Sequence, residues 1–577
     1  MFNWLVYNVD RWYSFLIYLE GTNAIRLLQI GGLAPGTIID LYNQACVGLS
    51  VIEAETRVFI ASFDANGAGL DRPKIVNAFL SGAPVDTAFP DPMTATPAIT
   101  ESGPGLGSIS AGDHLFTYRL ETRSGFPGKP SPTVVTVTVS PGGRFVTFDM
   151  TVAIPDDGAI IHVLGTTADD PATFYDIPGA SISVAAGNPA WHVLIEVDFA
   201  DEDLVAAAAS ADATERFSYL TGPAAPRASK LFRFGNRTCY IAGKKCYISD
   251  PYSAQTLSED QHAVQVEGQI DLVTGESLGS SVVLFCSNST HVLGGDNNNV
   301  PRVWAPPRRV SDAIGAGGPN CVKPSTGAEF LWVAHESGLN TFNGAYGEIP
   351  VSVMFEKDWK RINWAAGETI QMEDSQTERV LYILVPLDGA TRPNYRMVID
   401  YQRARSSGGV DPEQVDYVLD DYKVADVVTE VPSIAFVQDY DTKKRQLWMG
   451  LDGGVAIKQD LTARNDNGNV LNALYETGLV LAPSQARNLM SKFGGIFADV
   501  KGSGSLLISP FGMNRVATPD DGAPPIEMED TPDGMKESKW HMDNENQSIR
   551  MEVNALNDWF ELSGLTVYHK PSGTSKS

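Results

Sequence analysis

The feature that most constrains the fold is a loose, recurrent hairpin running from about residue 228 to 480. Its copies are LFRFGNRTCYIAGKKCYISDP, SVVLFCSNSTHVLGGDN, AEFLWVAHESGLNTFNGAYGEIPVSV, RVLYILVPLDGATRPNYRMVIDYQRA and SIAFVQDYDTKKRQLWMGLDGGVAIKQD. Each has an apolar strand, a turn, and a second strand ending on a Gly or Asp turn. The copies recur at roughly 40–50 residues, the period of a four-stranded propeller blade. The series predicts an all-β chain with a β-propeller-like body of five to seven blades, one of them completed by N-terminal strands.

The segment 101–200 has a different rhythm. Thr133–Val139 alternates β-branched residues with period two, the mark of a half-buried strand. Pro141-Gly142-Gly143 turns the chain into another strand, Arg144 to Met150. Pro130 and Pro132 blunt an edge. The pattern is that of a β-sandwich. Tyr118 in FTYRLET, the GKPSPTVVTVTV strand and AIIHVLGTT…TFYDI give it a resemblance to a fibronectin type III module. The Ala-rich, acid-led stretch 198–215 predicts a helix. The chain is thus read as a β-rich segment at 1–100 that contributes to the body, the inserted sandwich at 101–200, and a linker with a short helix at 201–228. The propeller-like domain follows at 229–480, with a C-terminal β-rich domain at 481–577. Within the last, KFGGIFADVKGSGSLLISPFG reads as a hairpin turning at Gly502–Gly504.

Charge and chemistry narrow the function. Lys and Arg number 43 against 70 Asp and Glu, a formal charge of −27. That excludes a DNA-gripping basic surface as the main theme and disfavours an anionic membrane. No apolar run reaches the ~20 residues of a membrane span. The opening apolar stretch lacks the basic start and small-residue cleavage site of a signal peptide. Five scattered cysteines fit reduced thiols better than a disulfide framework. Across the turn at Gly243-Lys244, Cys239 should face Ile248 and Cys246 should face Ile241. The Gly-rich loops at 102–107 and 314–318 lack the strand-loop-helix setting of a phosphate cradle. No GxSxG nucleophile elbow is assigned, and the chain has no HExxH motif. Asp64, Asn66 and Asp71 resemble part of a calcium loop but lack its terminal Glu, so a plain turn is expected. The same holds for 296–299 and 464–468. No cofactor and no catalytic residue is assigned, and the chain is read as a non-enzyme.

Three stretches carry a family resemblance: LFRFGNRTCYIAGKKCYISDPYSAQTLSED (231–260) with its Ser249-Asp250-Pro251-Tyr252 turn, FLWVAHESGLNTFNGAYGEIPVSVMFEKDWKRIN (330–363), and the closing SIRMEV…NDWFELSGLTVYHKP. In this order they resemble the tail nozzle, or tail tubular, proteins of short-tailed bacteriophages. The likeness covers about 228–570, and the sandwich insertion departs from the simplest members. It implies a homo-hexameric ring in the virion tail, assembled in the host cytoplasm. The ring would lie below a tail adaptor ring and beside tail fibre or needle proteins. It would retain and then conduct double-stranded DNA without sequence-specific contacts.

A candidate acidic channel or rim loop lies at 519–545, with Asp520, Asp521, Glu527, Glu529, Asp530 and Asp533 as its leading carboxylates. Such a run is usually a solvated face; the functional reading is repulsion of passing phosphates, provided it lies within the ~8–10 Å screening length of the path. The alternative is a carbohydrate-binding or carbohydrate-cleaving propeller adhesin, because Trp and Tyr are numerous enough to line a sugar cleft.

Overall fold

A computed structural model describes residues 2–574 except 9–10, 21–22, 32–36, 55–56, 77–84, 88–91, 124, 126, 156–157, 171–172, 211–224, 253, 256, 258–261, 295–303, 376, 407–408, 422, 425–426, 439–444, 452–454, 460–472, 477–479, 482–488, 512–523, 529–534, 545 and 554–558. The chain is all-β and forms two compact units, residues 1–421 with 430–458, and residues 422–429 with 459–577.

The first unit holds a propeller of small antiparallel sheets, each a simple meander. Blade 1 is Phe2–Asn8, Arg11–Glu20, Ala24–Gly31 and Ile38–Asn43, and blade 2 is Gly48–Ala54, Arg57–Phe63, Lys74–Val76 and Val85–Thr87. Blade 3 is Lys230–Phe234, Arg237–Ala242, Lys245–Ile248 and Ala263–Gln265. Blade 4 is Leu272–Leu278, Ser281–Cys286, Thr290–Gly294 and Arg308–Ser311. Blade 5 has only Val322–Pro324, Leu331–His335 and Gly338–Phe342. Blade 6 is Gln371–Asp374, Val380–Val385, Tyr395–Asp400 and Asp416–Asp421, and blade 7 is Ser433–Gln438, Arg445–Leu451 and Val455–Lys458. The first strand of each blade lies against the first strand of the next, and blade 7 returns to blade 1.

The five sequence hairpins fall one to a blade, in blades 3 to 7. The N-terminal strands do not complete a blade, as expected above, but build blades 1 and 2 themselves. Their apolar residues explain this: Phe15, Ile17, Ile25 and Leu27 are buried with Val58, Ile60 and Val76 in one shared core. The ring therefore closes by packing, with Leu16 of blade 1 against Ala435 and Val437 of blade 7. Cys239 pairs with Ile248 and Cys246 with Ile241, as the two-residue turn requires. All five cysteines are buried free thiols. In the Ser-Asp-Pro-Tyr turn, Ser249 Oγ accepts the Thr238 N–H at 2.9 Å and Arg237 donates to the Ser249 carbonyl at 2.9 Å. The motif thus staples the far end of the blade 3 hairpin.

The sandwich is inserted between blades 2 and 3. One sheet holds five strands, Gly112–Thr122, Pro127–Pro130, Val135–Val139, Gly158–Gly165 and Tyr175–Ser183. The other holds three, Ala98–Glu101, Val146–Val152 and Trp191–Val197. Its core runs from Met93 to Leu204 and takes in no propeller residue. Tyr118 is fully buried there, its hydroxyl donating to the Ala95 carbonyl at 2.8 Å. The helix is Asp201–Ser210. Leu204 plugs it into the sandwich core, so this part of the expected linker belongs to the sandwich; 211–215 lies outside the described residues.

In the second unit, the expected hairpin is instead one strand, Leu489–Phe511. Its first half pairs with Met535–Asn544 and Trp559–Thr574; its second half pairs with Ile526–Met528 and Asn546–Val553. The partners change at Gly504, whose φ of +81° is open to glycine and costly for other residues. The glycines therefore bend a strand from one sheet into another. Ala473–Glu476 and Val480–Leu481 pair with Asn546–Val553 and so belong to this unit.

Two expectations follow. Leu16→Ala should destabilise the chain by about 2–5 kcal/mol through a cavity at the seam. It would be read as an earlier urea midpoint, and an unchanged midpoint would show that the seam does not hold the ring. Residues 92–210 expressed alone should unfold cooperatively, because their core is self-contained; a featureless melt would contradict this.

Candidate functional site

The first strands of the blades face the propeller axis, so whatever polar residues they carry meet in its centre. Those strands are mostly apolar, yet four in succession place one charge on the axis. Lys230 comes from blade 3, Glu276 from blade 4, Lys323 from blade 5 and Glu373 from blade 6, and all four line one cavity of about 590 Å³. The sign alternates around the axis. Lys323 Nζ pairs with Glu373 at 2.9 Å, and their side chains retain 33% and 20% exposure, so the cavity communicates with solvent.

Lys230 and Glu276 are held differently. Lys230 Nζ donates to Asn320 Oδ1 at 3.1 Å, and Asn320 Nδ2 donates across the axis to the Leu49 carbonyl of blade 2 at 3.3 Å. Glu276 Oε1 accepts the N–H of its neighbour Ser277 at 2.9 Å. Burial pushes the Lys230 ammonium below its ordinary pKa, and Glu276 and Glu373 only partly offset this. Burial likewise pushes the Glu276 carboxyl up, against the pull of Lys230 and Lys323.

Asp374, beside Glu373, is saturated. It accepts the Thr326 N–H at 2.6 Å, the Thr326 hydroxyl at 2.9 Å and the Tyr401 hydroxyl at 2.8 Å. This ties blade 5 to blade 6. A second cavity of about 620 Å³ is lined by residues of blades 1, 2, 6 and 7 and their connections, and it shares Leu49 and Gln371 with the first.

Of the acidic residues singled out in the sequence, Asp520, Asp521, Glu529, Asp530 and Asp533 lie outside the described residues. The stretch is not one loop: Ile526–Met528 and Met535–Asn544 are strands, because backbone pairing with Leu489–Phe511 overrides the charge pattern. Glu527 is the exposed position of its strand and accepts the Ser505 hydroxyl at 2.5 Å. Asp64 Oδ1 accepts the N–H groups of Asn66 at 2.8 Å and Ala68 at 2.9 Å, while Asp71 pairs with Lys74 at 3.2 Å, the plain turn expected. Residues 296–299 and 464–468 lie outside the described residues. The glycines at 315 and 318 serve packing: a Cβ on Gly315 would lie 2.1 Å from the Cys286 carbonyl oxygen, and one on Gly318 would lie 2.3 Å from that of Gly367. Trp304, Trp332 and Trp359 are buried in blade cores and do not line either cavity.

The axial charges were missed in the sequence, although a signal was present. Lys230, Glu276, Lys323 and Glu373 are 46, 47 and 50 residues apart, and each lies in the first strand of its blade. A charge of alternating sign at blade period, within otherwise apolar strands, marks a shared axis.

Glu276 gives a pH-dependent expectation. Its folded pKa lies above the ordinary 4.5. Between those two values the folded chain holds a proton that the unfolded chain has released. Its contribution to stability therefore falls as pH rises through that window. Glu276→Gln removes this titration. Relative to that variant, the wild type should lose stability from pH 4.5 towards neutrality in urea midpoints; a gain would mean that Lys230 dominates and lowers the pKa.

No family model and no curated protein matches the chain. Among solved structures, it is similar to the dihydro-heme d1 dehydrogenase NirN in complex with DHE, at 14% identity over 68% of this chain and 70% of that one, with a TM-score of 0.24. It is similar to the extracellular domain of a putative one-component system from B. thetaiotaomicron, at 8% identity over 97% and 84%, TM-score 0.22. It is also similar to an exo-β-1,3-galactanase from Phanerochaete chrysosporium with β-1,3-galactotriose, at 8% identity over 92% and 97%, TM-score 0.17. At these TM-scores none of the three bears on what this chain does.

Proposed function

We propose that the chain is a structural component of a short-tailed phage virion, a tail nozzle subunit that forms a ring of about six copies around the DNA path. The observation that carries the reading is the size and wiring of the axial cavity. At about 590 Å³ and crossed by Lys323–Glu373 and Asn320, it suits a small molecule and cannot pass a duplex. A conduit built from this chain therefore lies between copies, which requires a ring. The −27 charge on each copy supports the same reading, since a wall of that sign repels phosphates rather than gripping them. The order of the three sequence motifs supports it independently.

The test is the mass and shape of the purified full-length chain, alone and with its tail partners, by light scattering and negative-stain imaging. Rings with an open centre are expected. A chain that stays monomeric with those partners would refute the nozzle reading.

A carbohydrate-binding or carbohydrate-cleaving propeller is the second reading. One observation favours it: Glu276, Glu373 and Asp374 line a single cavity, and glycoside hydrolysis uses paired carboxylates. With Glu373 tied to Lys323 and Asp374 saturated, Glu276 is the group placed to act as an acid. Release of reducing ends from oligosaccharides, abolished by Glu276→Gln, is the result that would establish it.

A further inference from the structure

We propose that the axial cavity binds a small zwitterion of α-amino-acid chemistry, its carboxylate on Lys230 and its ammonium on Glu276. The proposal goes beyond the ring reading and does not depend on it.

The cavity is within the range of small-molecule sites. Its charged lining is engaged elsewhere except at one place, and Arg445 lies over the Phe436 ring. Lys323 and Glu373 neutralise each other directly. Asp374 is filled by Thr326 and Tyr401. Arg233 turns to the carbonyls of Glu53 and Gly235. Lys230 and Glu276 share the cavity without an ion pair between them. The Lys230 ammonium carries three N–H donors and uses one, on Asn320 Oδ1. Glu276 receives only Ser277, whose N–H and hydroxyl both reach Oε1, so Oε2 is open.

Two opposite charges, both half-buried and both short of partners, select a ligand by elimination. An anion would gain from Lys230 but face Glu276 and Glu373. A cation would gain from Glu276 but face Lys230 and Lys323. A neutral polyol would leave two ions without counter-charge in a poorly solvated site. A molecule with a carboxylate and an ammonium on one carbon supplies a charge-assisted bond to each and adds no net charge. Ile52 and Val322 line the same cavity and offer an aliphatic wall, so apolar side chains such as that of leucine should be preferred.

The experiment is saturation-transfer NMR on the full-length chain with leucine, glutamate, lysine, acetate, methylamine, glucose and galactose as probes. Leucine should give a saturable signal, and acetate or methylamine alone should not. Lys230→Met and Glu276→Gln should each weaken leucine by about tenfold or more, the worth of one charge-assisted bond. The double variant K230M/E276L removes both charges together and should stay folded by circular dichroism while losing the signal. Leucine that fails to bind at tens of millimolar overturns the proposal, as does a signal that survives in the folded double variant. Saturable sugar binding without amino-acid binding also overturns it and hands the cavity to the carbohydrate reading. A monomeric chain that binds leucine would refute the ring and leave this inference standing.

Discussion

Leu16 of blade 1 rests on Ala435 and Val437 of blade 7, the packing that closes the ring of blades around the axis. The two sides are about 420 residues apart, and no strand is shared between them. Joining ends that distant costs roughly 5 kcal/mol of chain entropy. Burying Leu16 and Val437 returns roughly 3–6 kcal/mol. The seam is therefore near balance on its own, and it depends on each blade being already formed by its own hairpin ladders. Local sheets come first in this argument and closure second. That order explains why blade-sized hairpins are visible in the sequence while the closure is not.

Hairpins in blades 3 to 7 were legible because each pairs two apolar runs across a short turn or loop, and where the turn has two residues the register follows, as Cys239 opposite Ile248 shows. Blades 1 and 2 were not counted because the sandwich separates them from the rest, so no period connects them. The Gly502–Gly504 stretch was misread for a related reason. Glycine marks any sharp change in backbone direction, whether a turn or a bend within a continuous strand, and only the pairing partners distinguish the two. The acid-rich 519–545 segment misled in another way. A strand with one solvated face accepts carboxylates at every second position, as Glu527 does between Ile526 and Met528.

The axial cluster shows what composition hides. A chain of net charge −27 sets two Lys and two Glu, alternating in sign from blade to blade, in an axial cavity that Arg233, Asp374 and Arg445 also line. Attraction between neighbouring unit charges at 4 Å is about 4 kcal/mol at an effective dielectric of 20, and repulsion between like charges is as large. Because the sign alternates from blade 3 to blade 6, neighbouring blades face each other with opposite charge. Exchanging Glu276 for a lysine would place three cations in succession on blades 3 to 5.

The same constraint separates the roles of inside and outside. On the axis, charges are few, counted and matched, so a ligand there is read by the pattern of its charges. Over the rest of the chain acids outnumber bases, and although many are paired, the excess leaves a net field that a long polyanion would meet. Fields are screened within about 8–10 Å at physiological salt, whereas a half-buried pattern is screened far less. The matched charges on the axis therefore act at short range on a bound group, while the acidic excess acts only within a screening length of the surface.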